Sequence, residues 1–164
     1  MQAGIVSTIP YLVALVAGIA FGWLSDRRLD AARIDRGGRR GYVLVAMIAN
    51  LAILLVPLAH SLPLIIPLLA LSLAGSACTL TANVALANDM LVEPKFAGLL
   101  FGLLGIGSNA LGLFAPIATG FVAEFWGGFA AAFLLAGTIT AAGIACVLFL
   151  VRRPIAASPS PQAA

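Results

Sequence analysis

Charge is what this chain has least of. Only 9% of its 164 residues are Asp, Glu, Lys or Arg, against about 25% in an ordinary soluble domain. A fold that must face water on all sides cannot be built from so few charges, which excludes a soluble globule. Histidine is almost missing as well: His60 stands alone in a short polar turn, with no carboxylate near it in sequence. The two cysteines, Cys78 and Cys146, lie in separate apolar runs without paired spacing. A disulfide framework or a zinc site needs several ligands at set intervals, so neither is expected, nor is any cofactor or metal. No cluster of His, Cys and carboxylate stands at the edge of an apolar run, and the chain is therefore not expected to be an enzyme.

What the chain has instead is hydrophobic residues, 62% of the total, in long uncharged runs. About 20 apolar residues cross the hydrocarbon core of a bilayer as a helix. Five such spans are legible, at about residues 4–24, 42–59, 63–87, 96–122 and 129–151. The expected fold is all-α and integral to the membrane, with the lipid bilayer as its solvent. Residues 1–153 form the transmembrane part, and residues 154–164, rich in Ser, Pro and Ala, read as a disordered tail.

The net charge of +3 does not point to nucleic acid, because the basic residues sit in loops between apolar runs. Six of the nine fall in residues 22–40, GWLSDRRLDAARIDRGGRR: Arg27, Arg28, Arg33, Arg36, Arg39 and Arg40. The remaining three are Lys95, Arg152 and Arg153. Alternating sides puts residues 22–40, 88–95 and 152 onward on one face, whereas the loops at 60–62 and 123–128 have neither Lys nor Arg. Short basic loops stay on the cytoplasmic side. The N-terminus is then expected outside and the C-terminus in the cytoplasm, in a plasma membrane (the inner membrane of a bacterium). The first run lacks the basic start and cleavage site of a secretory signal. Five spans beginning abruptly outside are the topology expected of part of a larger protein.

Within the spans, polar side chains are few and patterned. Ser72, Ser76, Thr79 and Asn83 recur every three or four residues and share one helix face. Such a stripe has two readings. The hydroxyls can bond back to their own helix, or the stripe can face a bundle interior or aqueous cavity rather than lipid. The cavity reading is preferred. Asn109, mid-span, also needs partners and is not expected to face lipid. Ala14, Gly18 and Gly22 line one face of the first span, and Gly98 and Gly102 one face of the fourth; small residues at that spacing let helix backbones approach closely.

Gly22-Trp23-Leu24-Ser25-Asp26-Arg27, followed by Gly38-Arg39-Arg40, resembles the G-x-L-[SA]-D-R…G-R-[RK] loop motif of the major facilitator superfamily, although residues 28–37 separate its two halves here. In that family the motif joins helices two and three, and again eight and nine. Four further spans and a basic tail follow, so the resemblance implies helices eight to twelve, most of the C-terminal six-helix bundle. Gly98-Leu99-Leu100-Phe101-Gly102, with Asn109, Gly112, Pro116 and Gly120, is similar to the eleventh helix of the anion:cation symporter branch.

The resemblance implies part of a secondary active transporter for small organic anions of the sugar-acid or aromatic-acid type, working by alternating access with a coupling ion, most simply a proton. Gly22, Asp26, Arg27, Gly38, Arg39 and Arg40 would form the gating loop, with Asp26 as a latch. Asn109, Asn83, Thr79, Ser76 and Ser72 would line the substrate path. None of the five spans contains Asp, Glu, Lys, Arg or His, so the ionisable groups for substrate and proton are expected on missing N-terminal helices. A non-transporting membrane remnant or assembly subunit is the other class of reading that these residues allow.

Overall fold

A computed structural model describes residues 2–29, 38–91, 94–126 and 128–151. Arg33, Arg36, Glu93 and the tail at 154–164 lie outside the described residues. The described chain is helical, without a strand: α1 (Gln2–Arg28), α2 (Arg39–Asn50), α3 (Leu62–Asp89), α4 (Ala97–Phe125) and α5 (Phe129–Phe149). A 3-10 segment, Leu51–Leu58, carries the line of α2 onward, and a short 3-10 turn, Pro94–Phe96, precedes α4. With that extension, five segments are long and apolar enough to cross a membrane.

The helices reach further than hydropathy alone implies. α1 runs through Asp26, Arg27 and Arg28, and α4 through Glu124. A charged residue ends the apolar run but not the backbone hydrogen bonding, since long polar side chains can reach out to the headgroup layer. Helix ends follow local chemistry. Pro63 stands in the first turn of α3, where its missing N–H costs nothing. The Ser61 carbonyl accepts the N–H groups of Leu64 and Ile65 at 3.0 and 3.1 Å. Between α4 and α5 the chain reverses at Gly128, whose φ of 77° is a conformation that glycine alone adopts without strain.

α3 is the centre of the packing, with α1 on one side and α2 on the other; α5 covers the 3-10 segment and touches α4. Small residues make both α3 contacts possible. A Cβ on Gly18 of α1 would sit 3.4 Å from the Ala77 Cβ. Gly75 of α3 faces the backbone of α2 so closely that a Cβ there would lie 2.9 Å from both the Ala46 carbonyl oxygen and the Ala49 carbonyl carbon. The buried apolar cluster is Val43, Ala82 and Leu86, with Phe21, Met47, Met90, Val147 and Val151 packed around it.

The fourth span behaves differently. None of the described side chains of α4 is buried, and Gly98, Gly102, Gly105, Gly107, Gly112 and Gly120 each face open space. Gly22 of α1 does too. The close-packing faces expected at Gly98–Gly102 and at Gly22 therefore have no helix against them among the described residues, whereas Ala14 is buried and Gly18 meets α3.

These two kinds of glycine should respond oppositely to substitution. In the 164-residue chain, Gly75→Ala forces backbone against backbone and should cost about 3 kcal/mol, the upper range for overpacking. Gly102→Ala meets nothing and should gain up to about 1 kcal/mol of helix propensity. Thermal unfolding of the detergent-solubilised protein checks both; equal shifts would contradict the packing described.

Candidate functional site

Arg39 opens α2 with a positive charge at the positive end of a helix dipole, the wrong sign for that position. Two carboxylates correct this. Asp26 lies in the last turn of α1 and Asp89 in the last turn of α3, themselves at negative helix ends. Bringing the three together sets one cation against two anions, each unfavourable where it stands alone, and leaves the node with one net negative charge. Arg39 Nη1 bonds Asp26 Oδ1 at 2.7 Å and donates to Ser25 Oγ at 3.2 Å. Its Nε bonds Asp89 Oδ2 at 2.5 Å. One guanidinium thus ties three helices at the arginine-bearing end of the bundle, directly above the Val43–Ala82–Leu86 cluster.

The two pairs differ in environment. The side chains of Arg39 and Asp89 are 8% and 17% exposed, that of Asp26 70% exposed. A buried guanidinium that loses its partly buried partner is left uncompensated, at a cost of about 3 kcal/mol or more. The Asp26 bond is screened by surroundings and worth about 1 kcal/mol or less. Asp89 anchors Arg39, while Asp26 holds it through one oxygen and remains open on its other side.

The other motif residues are arranged around this node. Gly38 is the N-cap of α2. Arg40 turns to the opposite side, where Nη2 donates to the Leu148 carbonyl at 2.5 Å, near the C-terminus of α5. Its Nε is buried without a hydrogen-bond partner among the described residues. Arg27 lies over the Trp23 ring at 5.0 Å, a cation–π contact at the end of α1. Asp89 and Ser25 had no assigned role in the sequence reading, where residues 88–95 formed a loop. The available signal was position: Asp89 is an acid at the end of an apolar run on the same membrane side as the arginine loop.

The polar stripe of α3 divides. Ser72 and Ser76 donate to one acceptor, Asn50 Oδ1, at 2.8 and 3.0 Å. Asn50 Nδ2 points to Thr140 Oγ1 of α5 at 3.4 Å, and Thr140 bonds back to the Ala136 carbonyl at 3.0 Å. Thr79 bonds back to the Gly75 carbonyl at 2.8 Å. Asn83 is exposed. Asn109 is also exposed, and its Nδ2 donates to the Gly105 carbonyl of its own helix at 2.8 Å. The stripe and Asn109 are therefore not brought together among the described residues. Asn50, without an assigned role in the sequence reading, is the polar centre joining α2, α3 and α5. Its position, at the α-to-3-10 junction and beside Gly75, allows two hydroxyls to reach it.

The chain is 27% identical over 160 residues to the "Probable L-galactonate transporter" of Escherichia coli (strain K12), covering 94% of this chain and 34% of that protein. It is 24% identical over 164 residues to the "Probable sulfoacetate transporter SauU" of Cupriavidus necator, covering 98% and 37%. It is 24% identical over 153 residues to the "Uncharacterized transporter YybO" of Bacillus subtilis (strain 168), covering 92% and 35%. The chain spans about a third of the length of these curated relatives. No solved structure matches it. The sequence pattern of the Major Facilitator Superfamily matches residues 1–164, and the chain, with its Ser25–Asp26…Arg39 node, belongs to that family.

Proposed function

We propose that this chain is part of a secondary active transporter that moves a small organic anion by alternating access, and that the Arg39 node is a latch at its cytoplasmic end. Transport here is not an enzymatic reaction. It requires two bundles rocking about a site near the membrane midplane. The observation that carries the reading is the asymmetry of the node: Arg39 is held firmly by partly buried Asp89 and loosely by exposed Asp26. A latch needs one contact that stays and one that can be exchanged. Asp26, at the edge of the bundle, has an oxygen available for a partner outside this chain when the gate closes.

The substrate class is supported by relatives named for a sugar acid and a sulfonated acid, both organic anions. The spans themselves carry hydroxyls and amides rather than charges, groups that can bond a carboxylate or a sugar hydroxyl without burying an ion. Asn83, Ser76 and Thr79 on α3 and Asn109 on α4 are the proposed contributors to the substrate path, with Ser72 holding Asn50 behind them. The cation that meets the anion, and the carboxylate that takes the coupling proton, lie on helices preceding this chain. The confinement of Lys and Arg to alternate loops supports a cytoplasmic C-terminus, and the bacterial relatives support an inner membrane.

The first test is the coding sequence upstream of the Met1 codon, which should continue in frame through about seven more apolar spans. A closed frame would turn the reading toward an assembly subunit. In the longer protein, uptake of labelled L-galactonate should be reduced in Asn109→Ala and Asn83→Ala through a raised KM; unchanged affinity in both would remove those residues from the path. The latch makes a separate prediction. Asp89→Asn should lower thermal stability by about 3 kcal/mol, and Asp26→Asn by about 1 kcal/mol or less. Asp26→Asn should nevertheless reduce transport strongly, by favouring the inward-open state. Equal stability losses with transport intact would refute the latch.

A further inference from the structure

Between the end of α1 and the start of α2 lies an open groove of about 390 Å³, lined by Phe21, Leu24, Gly38, Gly41, Tyr42 and Val45. It belongs neither to the Arg39 node, which is on the other side of α2's first turn, nor to the polar stripe of α3. Its width is set by the two glycines: the Cβ position of Gly41 has no heavy atom within 4 Å. One wall is an edge-to-face pair, Phe21 against Tyr42, with centroids 5.7 Å apart. Val45, at the far end, is 60% exposed. The groove is apolar throughout and lies beside the last turns of α1 and the first turns of α2.

One turn beyond Leu24 stands a cation without a partner among the described residues. Phe21, Leu24 and Arg28 are spaced three and four residues apart and share one face of α1. Arg28 is exposed and makes no hydrogen bond or ion pair with any described residue. The next arginine, Arg27, is held at the same level by its stack on the exposed Trp23 ring. An indole and a guanidinium together mark the depth of the headgroup layer. A narrow apolar groove, followed one turn along the same face of α1 by an exposed guanidinium with no partner among the described residues, is complementary to one molecule with an acyl chain and a phosphate.

We propose that this groove is a binding site for an anionic phospholipid, with one acyl chain lying along Phe21, Leu24, Tyr42 and Val45 and the headgroup phosphate held by Arg28. The charge complementarity selects the lipid over another apolar helix. An apolar helix would fill the groove but offers Arg28, one turn beyond it on α1, no counter-charge, whereas a lipid phosphate supplies one. Basic pockets between transmembrane helices recognise anionic headgroups in this way. The site does not depend on transport or on which side of the membrane is cytoplasmic.

The test is native mass spectrometry of the detergent-released protein titrated with phosphatidylglycerol or with phosphatidylcholine of identical acyl chains. The expected result is one tightly retained phosphatidylglycerol, preferred over phosphatidylcholine by about fivefold, the factor for one arginine near an anionic surface. Arg28→Gln should abolish the preference while leaving chain-driven binding of both lipids. Gly41→Leu, placed where a side chain has room, should weaken both lipids equally. Lys95→Gln removes a charge of the same sign from another helix and should change nothing. If Lys95→Gln lowers the preference as much as Arg28→Gln does, the effect is a diffuse surface charge and the site is overturned. Retention of no lipid, or binding indifferent to Gly41→Leu, would equally overturn it and leave the groove to a further helix or a second copy. Circular dichroism of each variant separates loss of binding from loss of fold.

Discussion

Arg39 is a buried charge in a protein that has almost none, and the arrangement of three helices follows from the need to compensate it. A guanidinium at the start of α2 repels the helix dipole and would be costly to desolvate alone. Asp89 and Asp26 answer it from the last turns of α3 and α1, where their own charges are unfavourable. Each of the three ends needs the others, so the arginine-bearing end of the bundle is pinned by electrostatics. Below it, the tight contacts are made by absence of side chain: Gly75 against the α2 backbone and Gly18 against Ala77.

Away from that end, cohesion changes character. Helices in lipid gain nothing from the hydrophobic effect between them, so packing and interhelical hydrogen bonds must hold them. Asn50 provides the second tie, accepting from Ser72 and Ser76 and reaching Thr140. It sits where α2 tightens into a 3-10 segment, a local change of helix pitch that often accompanies a hinge. α4 has neither kind of tie to the centre. Its glycines face open space, and Asn109 satisfies its amide on its own helix.

The described arginines that are not drawn into the node serve the membrane boundary instead. Arg40 caps the end of α5 through the Leu148 carbonyl, and Arg27 stacks on Trp23. Arg28 has no such partner among the described residues, and its place one turn beyond an apolar groove gives the lipid a defined role in the structure. The four described arginines of that one stretch thus divide among different tasks, a division that composition cannot reveal.

The sequence by itself determined the class of this protein. Absence of charge over runs of about 20 residues requires membrane helices, and the confinement of Lys and Arg to alternate loops orders them across the bilayer. The resemblance of residues 22–40 to a family motif named the superfamily to which the whole chain belongs. Periodicity also placed Ser72, Ser76, Thr79 and Asn83 on one face. Only the tertiary structure decided what that face meets, because a period of 3.6 residues specifies a direction and not a neighbour. Asn50 lies 22 and 26 residues from the two serines that bond it, and Asp89 lies 50 residues from Arg39. No local pattern links such pairs. They are selected when α3 packs between α1 and α2, and that packing depends on the few positions where a glycine lets two backbones meet.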